Sequence, residues 1–235
     1  MKYEPLSGPS ETHMDTYSWR RRLLTACLAM GLFIATQLVL VSVLGAGNLN
    51  AMRLLADSGF SAAVLFLFAV FERRHSGGAR ALIGHDVGRT FKLCVAWTAG
   101  AYLVCSGLDI WLGYGRTESM FNSGGASVSQ KVLFWVMGLT FLPIFEELLY
   151  RHFLIRLFPL ESRVWQWVAI LSTSALYMFI HMPFAYWTSF LLIGTLAVIL
   201  AYARVRSAGL LVPVLLHISA QVMAISKDLV AHHWF

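Results

Sequence analysis

Residues 23–45 form one unbroken apolar run directly after Arg20, Arg21 and Arg22. About 20 such residues cross a bilayer core as an α-helix, and in hydrocarbon only helices or closed barrels keep their backbone hydrogen bonds paired. The run is too long for the apolar core of a signal peptide and lacks a small-residue cleavage site, so it reads as a retained first span. Six further runs follow, at about 54–71, 91–112, 131–158, 164–181, 184–203 and 210–225. The expected fold is an all-α, polytopic transmembrane helical bundle of about seven spans. Composition agrees: 13% of residues are charged and 58% hydrophobic, against about 25% charged in a soluble domain.

The net charge of +6 would suit nucleic acid, but the basic residues cluster between apolar runs as membrane-flanking charges do. With the N-terminus in the cytoplasm, inner segments hold Lys2, Arg20, Arg21, Arg22, Arg73, Arg74, Arg80, Arg89, Lys92, Arg151, Arg156, Arg163, Arg204 and Arg206. Outer segments hold only Arg53, Arg116, Lys131 and Lys227. The positive-inside rule therefore puts the N-terminus inside and the C-terminus outside. The chain divides into a polar cytoplasmic tail (1–22), a three-span region (23–130) and a four-span region (131–235). The tail carries Pro5, Gly8 and Pro9 and is expected to be disordered. The Gly/Ser-rich loop 113–130 is expected to be flexible. Cys27, Cys94 and Cys105 lie in apolar runs without paired or metal-ligand spacing, and are expected to be small buried hydrophobes.

The chemistry centres on 141–156, FLPIFEELLYRHFLIR, a helical pattern with no break expected before Pro159. Ionisable groups at membrane depth cost about 2.5–3.5 kcal/mol each on the lenient scale, which marks them as functional candidates. Glu147 and Arg151 are four apart, in the favourable acid-before-base order on one helix face. Glu146 has no basic residue three or four positions on, so one carboxylate is tied to an arginine while its neighbour stays free. Downstream, Tyr177 precedes His181 by one turn, and His217 precedes Gln221 by one turn. At ~1.5 Å per residue, Glu146, His181, His217 and Gln221 rise about 20, 27, 16 and 22 Å above the inner ends of their spans, one shared layer within helix tilt.

Glu-Glu-x-x-x-Arg, then aromatic-x-x-x-His, then His with an amide four residues on, resembles the CPBP family of intramembrane proteases. This family comprises CAAX proteases and bacteriocin-processing enzymes, and is also called Abi. The resemblance covers about 132–225. Two positions depart from its usual pattern: Tyr177 where Phe is usual, and Gln221 where Asn is usual. The resemblance implies that Glu146, helped by His181, activates water, and that His217 and Gln221 donate to the oxyanion. Glu147 and Arg151 would hold the motif, with Tyr177 in support. The implied activity is intramembrane endopeptidase cleavage of a membrane-associated or exported substrate. Amide hydrolysis does need a base and donors aimed at the tetrahedral oxygen, typically worth about 2.7–4 kcal/mol each.

Glu146, His181 and His217 are also residue types that zinc accepts. No His-Glu-x-x-His helix is present, however, so the expectation is a glutamate mechanism without cofactor, with zinc as the alternative. Two other functions compete: a proton-coupled transporter using the same Glu and His residues as a relay, and a catalytically silent immunity or scaffold relative. Other residues have plainer readings. His152 reads as a flanking residue, His232 and His233 as exposed tail, and Asp109 as the outer boundary of the third span. Pro143 and Pro213 each mark a kink or an opened backbone carbonyl. Expected partners are membrane lipid and a membrane-tethered protein or peptide substrate, with no nucleic acid. The expected location is a bacterial inner membrane.

Overall fold

Helices and the turns joining them account for the described residues of the computed structural model, 18–45, 51–72, 80–114, 127–181 and 186–234, with no strand among them. The elements are α1 (Trp19–Leu44), α2 (Ala51–Glu72), the single turn α3 (Arg80–Ile83) and α4 (Val87–Trp111). A composite rod follows: α5 (Val128–Leu139), α6 (Phe141–Glu146), a π-helical segment (Glu147–Leu154) and a 3₁₀ turn (Ile155–Leu157). Then come α7 (Arg163–Ile180), α8 (Trp187–Ser207) and α9 (Leu211–Trp234). Seven long rods thus stand where seven apolar runs were expected. Four of them, α1, α4, the composite rod and α8, are long and apolar enough to cross a membrane. The tail 1–17, most of the Gly/Ser-rich loop (115–126), residues 73–79 and the side chains of His232 and His233 lie outside the described residues.

The composite rod is not the unbroken helix expected from its sequence. Ser127 opens it with a capping box, accepting from the Gln130 backbone while the Gln130 side chain accepts from Ser127 N at 2.9 Å. At Thr140 the backbone leaves the helix, with φ −122° and ψ −77°. Pro143 explains the break: it has no N–H, and its ring collides with the carbonyl four residues earlier, that of Leu139. From Glu147 the rod rewinds as a π-helix, a widening found mostly at functional sites. All eight residues of this segment are buried, charged ones included. Phe158 then turns extended ahead of Pro159 and ends the rod.

Burial on every side follows from position, because α1, α2, α7, α8 and α9 all pack against the π segment. Leu148, Leu149, Tyr150, Phe153 and Leu154 form one core with Ala26 and Ala29 of α1, Leu65 and Ala69 of α2, and Ala197 of α8. The alanines let the outer helices approach closely, as small residues do between membrane helices. Phe68 stacks on Phe153 with ring centroids 5.0 Å apart.

Several flanking residues do more than flank. Arg22 turns inward: Nη1 donates to the Phe158 carbonyl at 2.9 Å and Nη2 to Glu161 Oε1 at 3.2 Å. A guanidinium thereby closes the C-terminal end of the rod, where helix carbonyls lack partners. Asp109 is paired with Lys227 of α9 at 2.9 Å and is not merely a boundary marker. Pro213 falls in the first turn of α9, where a missing N–H breaks no helix bond, so it does not kink the helix before His217. All three cysteines are free; Cys94 and Cys105 are buried as expected, whereas Cys27 is exposed on α1.

One backbone crossing ties the N-terminal half to the C-terminal half. His85 N donates to Ser207 O and Leu210 N to Leu82 O, both at 2.8 Å. Gly84 (φ +81°) and Gly209 face each other there, and a Cβ on either would collide with the other's backbone. Gly209→Ala should therefore destabilise the fold by about 3 kcal/mol, the upper range for overpacking. Gly88→Ala, at a helix position with open space around it, should be neutral or slightly stabilising. Thermal unfolding of the two variants in detergent, followed by loss of the monodisperse species, checks both.

Candidate active site

Three elements converge on one cluster. The composite rod supplies Glu146, Glu147 and Arg151, α7 supplies Tyr177 with His181 just past its end, and α9 supplies His217 and Gln221. All seven residues singled out from the sequence come together. The helical spacings account for the local pairs; the contacts between helices could not be read from the sequence.

Glu147 is fully buried and doubly held. Arg151 Nη1 lies 3.3 Å from its Oε1, and His217 Nδ1 reaches the same oxygen at 2.9 Å. Because a carboxylate accepts, Nδ1 carries the proton. Arg151, also fully buried, donates through Nη2 to the Ala197 carbonyl at 3.3 Å and lies 4.6 Å over the Tyr177 ring. Its own carbonyl accepts from Arg204 Nε at 2.7 Å, which ties α8 to the rod. Such a pair gains strength from low dielectric, but only while both partners remain.

Glu146 is not the unattached carboxylate its sequence neighbours suggested. The Tyr177 hydroxyl donates to Oε2 at 2.7 Å. His181 Nε2 lies 3.8 Å from Oε1, and His217 Nε2 lies 3.8 Å from Oε2. These separations are too long for direct hydrogen bonds. His181 Nδ1 bonds to the Tyr177 backbone carbonyl at 2.8 Å. A carbonyl also only accepts, so Nδ1 carries a proton, and in the tautomer this sets for a neutral ring Nε2 presents its lone pair to Glu146. The Gln221 amide nitrogen is 3.4 Å from His217 Nε2. The imidazole of His217 therefore stands between the two adjacent carboxylates, bonded to Glu147 and 3.8 Å from Glu146.

Glu146, Tyr177 and His217 are almost wholly enclosed, whereas His181 and Gln221 are partly exposed and form the accessible edge. Two features differ from expectation. His152 is fully buried, not flanking, and neither ring nitrogen has a hydrogen-bond partner among the described residues; the π winding turns it into the bundle beside Phe153. The contact between His217 and Glu147 was not anticipated, and 70 residues of separation left no sequence signal for it.

An apolar groove of about 920 Å³ runs between α7 and α8, with Leu171, Ser174 and Met178 facing Trp187, Phe190 and Gly194. None of the seven clustered residues lines it. Among the described residues, no group of three or more His, Cys, Asp or Glu side chains is arranged to hold a metal ion.

Residues 128–223 fit the family model described as type II CAAX prenyl endopeptidase Rce1-like, a stretch that contains the whole cluster. No curated protein and no solved structure matches the chain.

Arg151→Ala should cost about 3–5 kcal/mol, because it strands Glu147 as a buried charge. Glu147→Gln combined with Arg151→Met should recover much of that loss, since no lone charge then remains. Thermal stability of the single and double variants in detergent tests the coupling.

Proposed function

Taking as premise that over residues 128–223 the chain belongs to the Rce1-like family of CAAX endopeptidases, we propose that it hydrolyses a peptide bond within the membrane using water activated by Glu146. The observation that carries this reading is the facing pair of acceptors, Glu146 Oε1 and His181 Nε2, 3.8 Å apart. Two acceptors without a hydrogen between them repel unless a donor sits at the gap. A water about 2.8 Å from each donates one O–H to the carboxylate and one to the imidazole. Its lone pair is then left free to attack a carbonyl.

The reaction balances with the groups present. Glu146 takes a proton as the water oxygen bonds to the carbonyl carbon, and the carbonyl oxygen becomes an oxyanion. Collapse of the tetrahedral species breaks the C–N bond, and the proton held by Glu146 passes to the leaving nitrogen. His217 Nε2 and the Gln221 amide flank the reacting carboxylate and donate to the oxyanion. Donation from Nε2 requires imidazolium, since Nδ1–H is already committed to Glu147.

This mechanism needs no metal. Cleavage by the purified protein should survive EDTA; loss of activity that zinc restores would overturn that part. With the N-terminus cytoplasmic, His181 sits at the outer end of α7 and the accessible edge faces the outer half of the bilayer. The substrate class this favours is an exported protein or peptide tethered to the membrane, and the setting is a bacterial inner membrane.

Cells expressing the wild-type chain should show new membrane-protein termini that are absent with Glu146→Ala at equal folded levels. Terminal mass spectrometry gives the cleaved bond and its side of the membrane together. Identical termini in the two strains would overturn proteolysis and leave the polar chain from Tyr177 through Glu146 and His217 to Gln221 as a proton relay.

A further inference from the structure

Tyr177 stands where the related motif usually has Phe, and the difference is one hydroxyl. Among the described residues, that hydroxyl makes the one direct hydrogen bond to the Glu146 side chain, at 2.7 Å. Bonds from O–H to a charged oxygen in this range are the strong kind. The ring is fixed from several directions. His181 stacks on it at 4.3 Å, Arg151 covers it at 4.6 Å, and Tyr150 meets it edge-on at 5.1 Å.

The carboxylate itself has no such restraint. Rotation about the last torsion of a glutamate is broad and nearly two-fold, so either oxygen can face a given partner unless something holds it. Arg151 is committed to Glu147, and both histidines stand 3.8 Å off. We propose that the Tyr177 hydroxyl is a positioning residue for the base: it pins Oε2, so that Oε1 is the oxygen presented to His181 and the water. It also occupies Oε2, the oxygen nearest His217. The role in catalysis rests on the proteolytic reading above; the hydrogen bond itself does not.

Tyr177→Phe keeps the ring, its stack on His181 and its place under Arg151, so the variant is expected to fold. The full-length protein in lipid nanodiscs is treated with dicyclohexylcarbodiimide, which modifies protonated carboxyl groups, and labelling at Glu146 is read by mass spectrometry with Glu146→Gln as the blank. With the hydroxyl gone, Oε2 loses its one direct hydrogen bond among the described residues and is uncovered to the reagent, so Tyr177→Phe should label several-fold faster at neutral pH. In cleavage of an internally quenched peptide spanning the bond identified from the new termini, kcat should fall about tenfold with KM unchanged, as for a contact that matters only in the transition state. Equal labelling of wild type and variant would overturn the proposal whatever the peptidase activity. Faster labelling with an unaltered kcat would overturn the positioning role. The expected labelling from a wild type that yields no new termini in cells would remove the proteolytic reading alone.

Discussion

The ion pair of Glu147 and Arg151, both fully enclosed, is the constraint on which the rest of the site depends. A carboxylate and a guanidinium inside a membrane bundle hold each other, and each takes one further partner from another helix: the Ala197 carbonyl for Arg151, and the His217 ring for Glu147 Oε1, while Glu147 Oε2 and Arg151 Nε have no hydrogen-bond partner among the described residues. The π segment carrying the pair therefore cannot be shifted without separating α8 and α9 from the rod. Its occupation of the bundle axis, inside α1, α2, α7, α8 and α9, is the packing expression of the same requirement.

The break at Thr140 and the widened turn after Glu146 serve that arrangement. Two consecutive glutamates on a regular helix point about 100° apart, which would turn one of them away from any single ligand. In this chain both reach the same imidazole, Glu147 at Nδ1 and Glu146 within 3.8 Å of Nε2. One histidine thus stands between the two carboxylates, bonded to Glu147 and in van der Waals reach of Glu146.

The arginines carry a second consequence of the membrane setting. Clusters of basic residues orient a polytopic chain, yet Arg22 and Arg204 also bond to backbone carbonyls of the central rod, at Phe158 and Arg151. Long side chains with several donors can hold a charge near an interface and still satisfy a helix end.

The sequence alone determined the number of long helices, since hydrocarbon demands continuous apolar runs of a fixed length. It also determined which short-range pairs lie on one face, because helical spacing places Glu147 by Arg151, Tyr177 by His181 and His217 by Gln221. The order of those pairs carries the resemblance that the match over 128–223 bears out. Only the tertiary structure decided what crosses between helices. Burial of His152, capping of the rod by Arg22, the grip of His217 on Glu147 and the hydroxyl bond from Tyr177 to Glu146 join residues 31 to 136 positions apart or arise from a π turn. Periodicity carries no information about such contacts, because which faces meet is settled by how several helices pack at once. Pro143 accounts for the break at Thr140 and so was legible in advance, but the π rewinding from Glu147 and its enclosure on every side came only with the packing of the other helices around it.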